Sequence, residues 1–195
     1  MAAVDLYLKA LVTHDEQALR QLNDYLRADR VRTERRPDYA NIAALKKADQ
    51  EFPEEVAKLA QNLFPATMQP TLKEPLVALM ATVQQARQKS ECKAVSASEP
   101  VAEGKYGVLT SAVRFECAVV KVPENWAKTI QRLVRDKASL AETHAELNKL
   151  QAAYAAPVNF KYEGTFSIST VPQDKDEAWR NDFAREPIDE IFSDL

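Results

Sequence analysis

Glu91-Cys92-Lys93-Ala94-Val95-Ser96-Ala97 and Val108-Leu109-Thr110-Ser111-Ala112-Val113-Arg114-Phe115-Glu116-Cys117-Ala118-Val119 flank the turn-like segment Glu103-Gly104-Lys105-Tyr106-Gly107. β-branched and aromatic residues on both sides of a glycine-bearing turn predict a hairpin, with strands at 91–99 and 107–121. Folding the chain at Gly104–Lys105 pairs residues whose numbers sum to 209. That register sets Cys92 opposite Cys117 and Ala94 opposite Phe115. It also collects Leu109, Val113, Phe115, Cys117 and Val119 on one face. Two readings of the cysteines follow. One is a cross-strand disulfide, which belongs to an oxidising compartment. The other is a pair of buried thiols packed as small hydrophobes. A redox-active pair is disfavoured because the spacing is not Cys-x-x-Cys.

Downstream, residues 158–171 alternate. Val158, Phe160, Tyr162, Phe166 and Ile168 point one way, and Asn159, Lys161, Glu163, Thr165 and Ser167 the other, as in a strand with one buried face. Between hairpin and strand, 124–155 contains no glycine or internal proline and reads as helix. Leu133, Leu140 and Leu147 recur every seven residues, with His144 and Tyr154 beside the stripe. As one helix it would be about 48 Å long, against a globule about 40 Å across. It therefore either protrudes or folds back at the capping-box pattern Ser139-Leu140-Ala141-Glu142; we expect a continuous, partly protruding helix.

Upstream, apolar spacing predicts helices at 3–12, 14–28, 39–50, 54–64 and 71–88. Thr13-His14-Asp15-Glu16 and Thr71-Leu72-Lys73-Glu74 have the capping-box pattern, and Pro53-Glu54-Glu55 suits a helix start. Arg27 to Arg36 lacks periodicity and reads as an exposed loop. Residues 173–195 form an acidic tail in which Trp179 and Phe183 are aromatic anchors, and short helices are expected there. The resulting fold class is α+β: N-terminal helices on a small, curved, mainly antiparallel sheet, with a long helix before the last strand, all in a single domain over 1–172.

Of 195 residues, 46% are hydrophobic and 28% charged, and the net charge is −3. That balance argues against nucleic acid as the main partner. No apolar run approaches the roughly 20 residues of a membrane-spanning helix, and the opening residues lack a secretory pattern. A cytoplasmic location is the face-value expectation, with a periplasmic one, after removal of a signal peptide, as the alternative. Three glycines cannot build a phosphate-cradling loop. Two histidines and two cysteines cannot build a closed zinc site, so no cofactor and no metal is expected. His14-Asp15 has the types of a base and its orienting acid, but neighbours at a helix start usually face water. No Ser-His-Asp or Cys-His set can be assembled.

The opening Val4-Asp5-Leu6-Tyr7-Leu8-Lys9-Ala10-Leu11-Val12-Thr13-His14-Asp15, followed by Ala18-Leu19 and Leu22, resembles the first helix pair of the nuclear transport factor 2-like (cystatin-like) superfamily. The later order of helices and long antiparallel strands is compatible. The helices at 39–64, the long helix and the acidic tail depart from that plan. The resemblance implies a cone-shaped sheet around a pocket, used by some members for isomerase or dehydratase chemistry and by others only to bind proteins, bacterial immunity proteins among them. No catalytic residue transfers to this chain.

The expectation is therefore a non-enzymatic protein-binding module, such as an immunity protein that neutralises a secreted toxin, or an accessory factor. Partner contacts are expected at Leu140, His144, Leu147, Tyr154, Trp179 and Phe183, and at Arg32, Arg35 and Arg36. Homo-oligomerisation through the 124–155 helix is a further option. The alternative is a ligand-binding or enzymatic cone fold with Tyr7, His14 and Tyr162 at its pocket.

Overall fold

A computed structural model describes residues 1–103, 107–171 and 178–181. The expected turn at Gly104–Lys105, the anchor Phe183 and most of the acidic tail lie outside them. The chain is α+β, with helices α1 (Ala2–Leu8), α2 (Glu16–Arg32), α3 (Ile42–Gln61), α4 (Gln69–Gln88), α5 (Trp126–Arg135) and α6 (Leu140–Ala155). The strands are β1 (Glu91–Ala97), β2 (Val101–Glu103), β3 (Val108–Val119), β4 (Phe160–Thr170) and β5 (Arg180–Asn181), in the order β1-β3-β4-β5 with β2 also on β3. The chain divides into two compact units. The first holds residues 1–45, 91–118 and the described residues from 161 on; the second holds 46–90 and 119–160.

In the first unit the hairpin register is as expected at its heart. Glu91 to Ala94 pair with Ala118 to Phe115, and Cys92 faces Cys117. The two sulfurs are bonded. The Ala94 amide points away from β3 and donates to Asp5 Oδ1 at 2.7 Å, so Ala94 and Cys92 occupy the non-hydrogen-bonded phase of the ladder. In that phase opposed side chains come closest. Nearer the turn the register slips. A bulge at Val95 shifts Ser96 opposite Arg114, and past Pro100, which has no amide to give, Val101 pairs with Thr110.

Val113, Phe115 and Cys117 face inward, as expected, and Phe115 stacks on Phe166 with ring centroids 4.6 Å apart. Gly164 makes room for this pair, since a Cβ there would strike the Phe115 ring. The outer face carries a ladder of alternating charge in which Lys161 bridges Glu116 at 2.7 Å and Glu163 at 3.3 Å. Alternation in β4 holds only from its middle onward. Phe166 and Ile168 are buried, but Val158 and Phe160 are exposed, and Phe160 lies under the Lys121 ammonium at 4.2 Å.

The N-terminal helices break where expected, though not with the expected cap. α1 runs into a π-helical turn at Lys9–Thr13 and His14 adopts the left-handed conformation. Asp15, rather than Thr13, caps α2 by accepting from the Ala18 amide at 2.7 Å. α2 then continues through Arg27, Arg30 and Arg32, so the arginine segment is half helix. Arginines suit a helix C-terminus because the unpaired carbonyls there carry negative charge. The helix closes with Glu34 left-handed while the Glu34 and Arg35 amides donate back to Val31 and Arg30.

In the second unit, the two helices expected at 39–50 and 54–64 are one, α3, which runs through Pro53. Proline removes the amide that would have bonded to the Asp49 carbonyl. The Gln84 side chain replaces it, donating to Asp49 O at 2.6 Å. α4 starts at Gln69 with Pro70 in its first turn and no side-chain cap, so the expected capping box at Thr71 is not used.

The continuous 124–155 helix is also corrected: it is a helical hairpin. Lys137 turns left-handed, with the Lys137 and Ala138 amides donating to Val134 and Leu133. Ser139 then starts α6 with a reciprocal capping box to Glu142. A C-terminal stop placed directly before an N-terminal start leaves no residue to carry a helix through. α6 packs on α4, and Leu147, Leu150 and Tyr154 join Leu72, Leu76, Leu79 and Met80 in one core.

A notch that holds an extended segment

Heptad-like spacing on α2 places Ala18, Leu22, Tyr25, Asp29 and Arg32 along one stripe. Leu22 of this stripe, with Tyr7, Ala10, Leu19 and Leu26, forms a core with Ala178, and Tyr25 packs against it. The polar part meets the next three residues. β5 pairs antiparallel with β4, Ser169 opposite Arg180 and Ile168 opposite Asn181.

On its other edge, tyrosine hydroxyls take the place of a neighbouring strand. Tyr25 Oη accepts from the Trp179 amide at 2.7 Å. Tyr7 Oη accepts from the Asn181 amide at 3.1 Å and donates to the Trp179 carbonyl at 3.4 Å. Tyr7 is 1% exposed and its ring meets Tyr39 edge-on at 5.6 Å, so its hydroxyl is held rigidly. Burial raises the Tyr25 phenol pKa. The Trp179 amide bond opposes that, and the Asp29 carboxylate adds to it. The phenol therefore stays neutral at physiological pH.

The same segment sends Arg180 to Asp29. Asp29 is 4% exposed, and its Oδ1 receives Arg32 at 2.6 Å and Arg180 at 3.6 Å. The Arg180 side chain is itself only 18% exposed, and its Nε has no hydrogen-bond partner among the described residues. Period-two geometry puts Ala178 and Arg180 on one side of the segment, one filling the apolar end of the notch and the other its acidic end.

The expected contact residues fare unevenly. Leu147 and Tyr154 are 1% exposed and serve the core of the second unit. Tyr154 Oη accepts from the Trp126 amide at 3.1 Å, and burial pushes its phenol up to about 12, that bond opposing. Leu140 is half-buried against the same core and His144 half-buried on α6. The stripe proposed for an intermolecular contact is thus used by α4. Arg35 and Arg36 are exposed, and Arg32 pairs with Asp29. Trp179 is anchored to its own unit through its backbone.

Tyr7, His14 and Tyr162 are not among the residues that line three open depressions formed by the described residues. One of about 440 Å³ lies over Lys93, Glu116 and Lys161, and one of about 490 Å³ over Glu54, Lys58 and Lys73. A third, of about 380 Å³, lies between α5 and α6, beside Arg132, whose guanidinium bridges Glu124 and Glu146 at 3.0 and 3.1 Å. The hydrogen bond from Arg132 holds the Glu124 carboxyl below its usual range, helped by Thr129. These charges tie the helical hairpin together.

The notch was not anticipated. Its signal was present in the sequence as an acid, Asp29, continuing an apolar stripe, and as a small-aromatic-basic triplet, Ala178-Trp179-Arg180, interrupting an acidic tail. Among the described residues, no group of three or more metal-ligating side chains occurs, and no helix is long and apolar enough to cross a membrane. No protein-family pattern, characterised protein or solved structure matches the chain.

Proposed function

We propose that this chain is a protein-binding module that takes up an extended segment as an added strand on β4. The observation that carries the reading is the grip on residues 179–181, whose backbone is bonded to β4 on one edge and to two tyrosine hydroxyls on the other. Backbone bonds of this kind supply affinity for any extended chain, while pockets for alternate side chains supply selectivity. The chain's own segment fills the site in the structure, so a partner's segment would compete with it. The disulfide supports an oxidising compartment, which favours the periplasmic over the cytoplasmic location. An immunity protein acting on a secreted toxin is compatible with that compartment, and that narrower reading rests on the family resemblance.

The test uses the full chain with Arg180→Ala, which weakens the internal occupant, and a fluorescein-labelled peptide copying residues 177–183. The expected result is a saturable rise in anisotropy that weakens when Tyr25→Phe removes the acceptor for the Trp179 amide. Absence of saturable binding up to about 1 mM, where affinity is only about −4 kcal/mol, would refute the reading.

A further inference from the structure

Building on strand addition at β4, we infer that the notch selects segments carrying arginine two residues after a small side chain, with Asp29 as the residue that reads it. The segment's backbone contacts are blind to sequence, so selectivity must come from its inward side chains, Ala178 and Arg180. Ala178 is 6% exposed within a core of Tyr7, Leu19, Leu22 and Leu26. A bulkier residue there would overpack that core.

Asp29 is built into α2 and is 4% exposed with the chain's own segment in the notch. Its first cation, Arg32, is a neighbour on the same helix and is 41% exposed, so it neutralises the carboxylate from the solvent side. The second, Arg180, arrives only with the occupant. An occupant without a cation leaves a buried carboxylate with one partially solvated counter-charge, a state proteins avoid. Lysine is a poorer substitute, because its compact ammonium is more strongly hydrated and presents no planar fork to a carboxylate.

The internal occupant does not fit fully. The distance from Arg180 to Asp29 is 3.6 Å, and its Nε is buried without a partner among the described residues. An unsatisfied buried donor weakens the state that contains it. The internal segment is therefore displaceable by an arginine-bearing segment that satisfies this nitrogen. The partner class is thus an extended peptide with a small residue and, two positions on, arginine.

The experiment compares three labelled peptides on the full Arg180→Ala chain: the copy of residues 177–183, the same with citrulline in place of arginine, and the same with lysine. Citrulline keeps the shape and removes the charge. Arginine is expected to bind at least about tenfold more tightly than citrulline, with lysine between them, since charge-assisted bonds are about twice as strong as neutral ones. Adding Asp29→Asn to the chain should bring the three peptides together. Equal affinities for arginine and citrulline on the Arg180→Ala chain alone would overturn the selectivity while leaving strand addition standing. Failure of all three to bind would remove both. Because the arginine–citrulline comparison needs no change at Asp29, it remains decisive even where Asp29→Asn impairs folding.

Discussion

The Cys92–Cys117 bond offers a prediction whose size can be worked out in advance. The two residues are 25 apart in sequence, and a cross-link closing a loop of that length removes about 3.5 kcal/mol of entropy from the unfolded chain near 25 °C. The perturbation is the double change Cys92→Ala, Cys117→Ala, which removes the link without burying a new polar group. The paired serine change should cost about 1–3 kcal/mol more, because position 117 is fully buried and a hydroxyl there would lack water.

The assay follows from the placement of the two tryptophans: Trp179 belongs to the unit that holds the disulfide, and Trp126 to the other. In a Trp126→Phe background, urea unfolding read from Trp179 should lose about 2 M in midpoint, taking a slope of about 1.5–2 kcal/mol per molar. In a Trp179→Phe background, the midpoint read from Trp126 should move far less. A shift below about 0.3 M in the first background would refute the argument from loop entropy. An equal shift in both would refute the idea that the bond stabilises its own unit alone.

Three further outcomes follow from local geometry. Lys137 is left-handed at the stop of α5, where a Cβ is unfavourable, so Lys137→Gly should raise stability by about 0.5–1 kcal/mol in denaturant melts; a loss would contradict the hairpin stop. Gln84→Ala should cost about 1 kcal/mol, because Gln84 supplies the Asp49 carbonyl with the donor that Pro53 lacks. In a Pro53→Ala background the cost should shrink, and a double-mutant cycle with no coupling would disprove the substitution of one donor by the other. Burial raises the Tyr154 phenol to about 12 from 10.0. The folded state therefore holds its proton longer than the unfolded one, and this contribution is intact below pH 10 and lost as pH rises toward 12. Unfolding midpoints read from Trp126 should fall across that window, and Tyr154→Phe should flatten the fall.

Local rules were sufficient wherever one side chain or one period decides the outcome. Alternation placed Val113, Phe115 and Cys117 inward and set Cys92 opposite Cys117, because a strand's period of two leaves no intermediate register. The same pattern could not see the bulge at Val95 or the slip past Pro100, since an added residue changes pairing without changing composition. Periodicity located α4, and it marked 124–155 as helical without dividing it into α5 and α6: Leu147 and Tyr154 read as an exposed stripe until α4 is known to cover them.

Residues 124–155 combine a composition free of glycine and internal proline with the capping-box pattern at Ser139–Glu142, and composition alone does not choose between a continuous helix and a hairpin. Tertiary burial of Leu133 and Leu147 in a common core settles the choice in favour of the hairpin. α3 shows the reverse case. Pro53 leaves the Asp49 carbonyl without its helical donor, and a glutamine 31 positions later in the chain supplies one. The notch belongs wholly to the tertiary level, because Tyr7, Tyr25, Asp29 and Arg180 stand more than 150 residues apart across their key contacts. Sequence determined which groups were available, the hydroxyls, the acid and the arginine. Folding alone brought them within hydrogen-bonding reach, because the energy of such contacts depends on distances that spacing along a chain does not set.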